Sequence, residues 1–148
     1  RAADGGLLDC LQRFGQDVAV AVADIPTLAR PAPLAAGVRD RADLIAVADD
    51  GTISIVEIKS SIEDFRADRK WPEYRDFCDR LYFAVAPDFP REVLPPETGL
   101  MICDRYGGEL LREAPEHNLA PARRKAMLIR FGMLAGDRLR SKQGVIVV

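Results

Sequence analysis

The sequence predicts an α/β domain, a mixed central sheet flanked by helices. Short apolar runs rich in β-branched residues recur at 18–22, 44–48, 53–58, 81–86 and 100–103. An amphipathic segment separates the third run from the fourth, the strand–helix–strand order of a parallel pair. A helical pattern closes the chain, with Met127, Phe131 and Leu134 at spacings that put them on one core-facing stripe.

Taken in order, Leu7, Leu8, Leu11 and Phe14 recur at helical spacing and predict a first helix over 4–14, ended by Gly15. Val18, Val20 and Val22 alternate as a strand. The stretch 25–37 holds Pro26, Pro31 and Pro33 and reads as an irregular connection. Two runs joined by Asp49-Asp50-Gly51 then predict a hairpin. Ser61 with Asp64 resembles a capping box and opens a helix at Ile62, with Ile62 and Phe65 inward. Trp71-Pro72 interrupts that helix, and Pro72 suits a first helical position. Tyr74, Phe77, Cys78 and Leu81 carry the apolar stripe into a strand over 81–86. Pro90, Pro95 and Pro96 make 88–98 a loop. Strands follow at 100–103 and 109–112, with Gly107-Gly108 as the turn between them. Pro121 starts the last helix. We expect a single domain over 1–142 and leave 143–148 as a tail, either a terminal strand or disordered.

Composition narrows the function classes. The 148 residues carry a formal net charge of −2, which neither announces a nucleic-acid binder nor excludes a local basic stripe. Three widely spaced cysteines, Cys10, Cys78 and Cys103, read as thiols in a reducing compartment. With one histidine, His117, and no C-x-x-C pair, a zinc site is not expected. No apolar run has the length of a membrane span and no signal peptide is apparent, so a cytoplasmic protein is expected.

The chemistry concentrates in the hairpin, RADLIAVADDGTISIVEIK from Arg41 to Lys59. Asp43, Glu57 and Lys59 lie within or at the ends of apolar strands, where an unpaired charge costs several kcal/mol. Two registers are open. A three-residue loop with Gly51 in the left-handed position pairs Asp43 with Glu57, at a Cβ separation of roughly 4.5–5.5 Å. A two-residue Asp50-Gly51 turn pairs Asp43 with Ile58 and sends the acids to opposite faces. The first is preferred, because it makes a chemical set. Facing carboxylates repel unless a cation sits between them. Hard oxygen ligands suit Mg²⁺ or Mn²⁺. A lysine on the same face can orient a water or stabilise developing charge. The competing role for these residues is an ordinary buried ion pair.

Asp43, thirteen residues, then Glu57-Ile58-Lys59 resembles the PD-(D/E)XK nuclease signature. The longer run VEIKSSIEDFRADRKWPEY is more specific. With RADLIAV before it and CDRLYFAVAPDFP, GLMICDRYGGELLREAPEH and APARRKAM after it, the chain resembles the MmcB-type DNA repair proteins of bacteria over 39–140. The resemblance implies a restriction-endonuclease-like αβββαβ core and a Mg²⁺- or Mn²⁺-dependent deoxyribonuclease. It also implies DNA and other repair proteins as partners. Asp43, Glu57 and Lys59 would be catalytic, with Asp43 and Glu57 holding the metal. Ala42 stands where the superfamily usually has proline. Nucleases of this kind often add an acid from the first helix, and none of its residues is glutamate. Asp4 lies on the side of Leu7 and Leu8 and is the candidate third ligand, against a simple N-cap role. The missing glutamate favours an alternative, a DNA-binding repair accessory with weak or no cleavage. A protein-interaction module whose charges form a static network is a third reading.

Two basic clusters are candidate DNA contacts: Arg66, Arg69 and Lys70 after the hairpin, and Arg123, Arg124 and Lys125 opening the last helix. Each competes with a solvated helix face. Trp71 and Tyr74 have the chemistry to stack on bases, but anchoring a helix in the core is the preferred role. His117 is read as structural.

Overall fold

A computed structural model describes residues 18–26, 41–104 and 106–143. One six-stranded sheet runs in chain order: β1 (Val18–Pro26), β2 (Arg41–Ala48), β3 (Ile53–Lys59), β4 (Arg80–Val85), β5 (Gly99–Asp104) and β6 (Gly107–Arg112). β1, β2 and β3 form an antiparallel meander. β3, β4 and β5 are parallel, and β6 returns antiparallel to β5. The helices are α1 (Ile62–Ala67) and α2 (Pro121–Gln143), with 3₁₀ turns at Trp71–Phe77 and Arg91–Val93. The mixed sheet with helices and the parallel β3–β4 pair agree with the sequence. The expected helix over 4–14, Asp4, Cys10 and the connection beyond Pro26 lie outside the described residues, as does 144–148.

The hairpin register is the three-residue one. Leu44 pairs with Val56 and Val47 with Ile53. Gly51 has φ +86°, the left-handed conformation that a side chain would strain. Ala48 N–H donates to Thr52 O at 2.9 Å, closing the loop. The Asp50 carboxylate accepts from Thr52 N–H at 2.9 Å, which is why an aspartate suits this turn.

Strand alternation sorts the core onto two faces. Ile45, Ile53, Ile55 and Leu81 pack with Tyr74, Cys78, Leu119 and Met127, and Phe131 and Leu134 add to this face. The α2 stripe therefore lies where its spacing predicts. Further along the same face of β4, Phe83 and Val85 pack with Phe89, Leu94 and Leu100, and with Phe65 and Trp71. Leu44, Val56, Tyr82, Ala84, Met101 and Ala114 fill the other face. Gly99 allows a close approach there: a Cβ would come within 2.2 Å of the Tyr82 ring and 2.9 Å of Ala114.

Three local expectations change. α1 stops at Ala67 instead of running on to Trp71, because Asp68 adopts an extended conformation (φ −84°, ψ 101°). Arg66 and Lys70 consequently do not share a helix face. Gly107 and Gly108 are strand residues paired with Asp104 and Cys103, not the turn. The turn precedes them, where the Asp104 carboxylate accepts from Tyr106 N–H at 2.8 Å. Finally, the capping box reaches back one residue further than expected. The Ser61 hydroxyl accepts from Asp64 N–H at 3.1 Å, but Asp64 accepts from Ser60 N–H at 3.0 Å.

Candidate active site

β3 builds the site. Its residues at 53, 55, 57 and 59 share one face. The first two are the apolar Ile53 and Ile55, packed under α2. The next two are Glu57 and Lys59, which are only 3% and 6% exposed. Neighbouring β4 offers Phe83 and Val85 at the paired positions, so apolar walls surround a buried carboxylate and a buried ammonium.

β2 adds the second carboxylate position. Leu44 and Val56 are the last pair of the β2–β3 ladder, and Asp43 and Glu57 are the next residues beyond them on β2 and β3. On its other side, β1 changes register. Val22 pairs with Leu44, but Ile25 pairs with Ala42, so two β1 residues face Asp43. Such bulges concentrate beside active sites, where they bend a strand and re-aim it.

Lys59 has two acidic neighbours. Its Nζ donates to Asp68 Oδ2 at 2.6 Å and lies 3.7 Å from Glu57 Oε2. Burial alone would push the ammonium pKa down. The Asp68 hydrogen bond and charge, with Glu57 and Asp64 behind them, outweigh burial and hold it above the ordinary lysine value. Asp68 was not singled out from the sequence. No local pattern marks it, because the contact depends on where α1 ends.

A metal fits here only through both strands. Among the described residues no three of His, Cys, Asp and Glu are grouped to hold one. Asp43 and Glu57 stand next after the Leu44–Val56 pair on neighbouring strands, and carboxylates are the donor type Mg²⁺ and Mn²⁺ take while keeping several waters.

The basic clusters separate. Arg66 and Arg69 are exposed and Lys70 is half-buried, all just beyond the Lys59 end of β3. The second cluster sits at the opposite end of β3. Arg124 donates to Gly51 O at 3.0 Å and forms a two-pronged pair with Asp79, at 2.7 and 2.6 Å. From Ile53 to Lys59 the strand rises roughly 20 Å. The Arg123 guanidinium lies 4.4 Å from the centre of the Phe77 ring. Arg124, one of the three residues expected to contact DNA, gives its fork to Asp79 and Gly51 in the fold. Lys125 is exposed.

Base stacking by Trp71 and Tyr74 gives way to the core role. Tyr74 is 5% exposed. Trp71 packs on Phe65 and Phe83, with ring centroids 6.4 and 5.4 Å apart. The His117 backbone N–H donates to Asp79 O at 2.6 Å. Burial pushes the Cys78 thiol up to about 12, so it is inert at neutral pH.

Among the described residues no helix is long and apolar enough to cross a membrane. A solved structure of a protein of unknown function from Silicibacter pomeroyi is 38% identical, with a TM-score of 0.80. The match covers 95% of this chain and 88% of that one. A search of the curated proteins gives no match. The family model described as DNA repair protein MmcB-like matches residues 12–144. With that span matched, the chain belongs to the MmcB-like family of DNA repair proteins.

Proposed function

We propose that this protein is a metal-dependent DNA endonuclease acting in repair, and that it hydrolyses phosphodiester bonds at the Lys59 end of β3. One observation carries the reading: a buried glutamate and a buried lysine share one strand face, just past the Leu44–Val56 pair that is followed on the neighbouring strand by Asp43. A static ion pair needs one acid for Lys59, and Asp68 already supplies it at 2.6 Å. The second acid, Glu57, goes beyond that role, and burying it costs stability. Asp43 and Glu57 would hold Mg²⁺ or Mn²⁺, which when bound polarises a phosphate oxygen and lowers the pKa of a coordinated water. Lys59 places positive charge beside the reacting phosphate. Arg66 and Arg69, exposed on the segment that follows, meet the flanking phosphates.

A second reading keeps DNA binding and drops cleavage. The full ion pairing of Lys59 favours it, since a catalytic lysine must turn towards substrate. Nicking of plasmid, linear, single-stranded and branched DNA, with and without Mg²⁺ or Mn²⁺, decides between them. Metal-dependent nicks support the nuclease. DNA binding with no nick on any substrate supports the accessory.

Two further results are expected. Mg²⁺ at about tenfold over its Kd should stabilise the protein by about 1.4 kcal/mol, about 4 °C in Tm for a domain of this size. Asp43→Asn should abolish that shift, and a shift that persists in this variant removes Asp43 from the metal site. In a salt titration of duplex affinity, Arg66→Ala with Arg69→Ala should make the log–log slope shallower by up to about 1.8, about 0.9 per phosphate contact. An unchanged slope makes these arginines a solvated surface.

A further inference from the structure

We propose that the recess between the 3₁₀ turn Trp71–Phe77 and the start of α2 is an anion site that takes a terminal phosphate group, held by Arg75, His117 and Arg123. The inference does not depend on the nuclease reading. The recess has a volume of about 490 Å³, in the range of small-ligand sites, and these three side chains line it. Asp76 lines it too and is exposed. Two guanidiniums against one carboxylate leave the lining positive. Ala120, the residue before α2, lies in the same wall, so the positive end of a 23-residue helix adds to that field.

The donors of this recess are unmet. Among the described residues, four side-chain polar atoms are buried without a hydrogen-bond partner: Arg75 Nε, Arg75 Nη2, His117 Nε2 and Arg130 Nε. Three of the four belong to two residues that line the recess. Buried polar groups are nearly always hydrogen-bonded, and orphans gathered at one recess point to a ligand that binds there. Nε and Nη2 form one edge of the Arg75 fork, the edge that takes two oxygens of an oxyanion in parallel. Glu97 does not take that place. Its Oε1 lies 3.2 Å from Nη2 without hydrogen-bond alignment, and its side chain is 49% exposed. In the tautomer protonated at Nε2, His117 adds a third donor. Arg123 stacks on Phe77 through the face of its guanidinium, not its N–H edge.

The walls are fixed before a ligand arrives. The His117 backbone is tied to Asp79 O, and Arg124 ties the first turn of α2 to the Asp79 carboxylate. Leu119 is buried in the core, and the Arg75 guanidinium lies 5.5 Å from the centre of the Trp71 ring. Donors held in this way lose little freedom on binding. A phosphate monoester carries close to two negative charges at neutral pH and matches two guanidiniums. A diester linkage carries one. The monoester has two sources, the phosphorylated end of a DNA strand and a free phosphate ester.

His117 is the only histidine of the chain, so its imidazole proton resonances report the recess directly. Titration with inorganic phosphate, at constant pH and ionic strength, should shift them saturably. Arg75→Gln and Arg123→Gln should each weaken phosphate affinity by about tenfold or more, the effect of losing a hydrogen bond to a charged group. Lys125→Gln removes the same charge from an exposed position outside the recess and should leave the affinity unchanged. Glu97→Gln should strengthen binding in the wild type but not in an Arg75→Gln background. If Arg75→Gln fails to fold, Arg123→Gln, at a half-exposed helix position, gives the result. Single strands with a 5′- or 3′-phosphate are compared with their hydroxyl twins. Tighter binding of the phosphorylated strand by about tenfold, erased by Arg123→Gln, assigns the recess to strand ends. Equal binding of the twins, with phosphate affinity intact, assigns it to a free ester. No saturable shift with phosphate, or an equal loss in Lys125→Gln and Arg123→Gln, overturns the site.

Discussion

Arg124→Ala is expected to lower the melting temperature by about 10 °C. The cause is the carboxylate it leaves behind. The Asp79 side chain is 3% exposed and takes both prongs of the Arg124 fork. It also accepts from Ile53 N–H at 2.8 Å, while the Asp79 backbone pairs with Ile53 O and receives His117 N–H. One residue thus joins the starts of β3 and β4 to the loop before α2, and Arg124 ties α2 to that junction. Removing one partner of a buried pair strands the other charge, at a cost of about 3 kcal/mol. In a domain of this size that cost is about 6–12 °C. Asp79→Asn should cost less, because the amide oxygen still accepts from Ile53 N–H and no charge is left in the core. The pH dependence has a definite sign. Burial by itself would raise the Asp79 pKa. The Arg124 and Ile53 hydrogen bonds and the arginine charge outweigh it and hold the group below its ordinary 3.8. A carboxyl with a lowered folded pKa stabilises fully above its unfolded pKa and loses that contribution as pH falls through the folded one. The Tm difference between wild type and Arg124→Ala should therefore be constant near neutrality and shrink below about pH 4. A difference that persists into stronger acid would assign the loss to packing.

Arg124 also shows where sequence reading ends. Three basic residues in a row at a helix start look like a phosphate-binding cluster. Its partner Asp79 lies 45 residues earlier, and no local pattern encodes that pairing. Asp68 is the same case at shorter range. It meets Lys59 only because α1 ends at Ala67 and the chain folds back over the end of β3. The hairpin was legible because its determinants are local. Gly51 tolerates the left-handed position, Asp50 bonds its own turn, and period-two burial then fixes which residues face one another. Met127, Phe131 and Leu134 were legible for the same reason, one stripe on one helix. The β5–β6 turn was misplaced because Gly107-Gly108 outscores its neighbours on composition. The chain turns instead at an aspartate whose side chain replaces a backbone acceptor, and it uses the glycines in the strand.

Lys59→Ala is expected to lower nicking by about 10²–10³-fold, the effect of losing one preorganised donor at a developing oxyanion. In the proposed reaction the lysine would act as a fixed cation, not a base. Asp68 and Glu57 hold its pKa up against burial, so it stays protonated at working pH. A proton-bearing Nζ at the end of β3 can donate to a phosphate oxygen or to the attacking water, and it gains strength from the low-dielectric walls supplied by Phe83 and Val85. The variant also leaves Asp68 and Glu57 facing each other, 17% and 4% exposed, without the intervening charge. Some stability is lost with it, and nicking must be compared well below both melting temperatures. Lys59→Met keeps the apolar stem and separates the two effects. It should retain more stability than Lys59→Ala and be as inactive. Metal binding should survive in both, because the carboxylates at 43 and 57 remain and lose a competing cation. Single-turnover nicking at saturating Mg²⁺, with Mg²⁺ affinity measured on the same samples, gives the result. Full activity in Lys59→Met would reduce Lys59 to the counter-ion of Asp68. Inactivity with intact Mg²⁺ affinity would place it at the reacting phosphate.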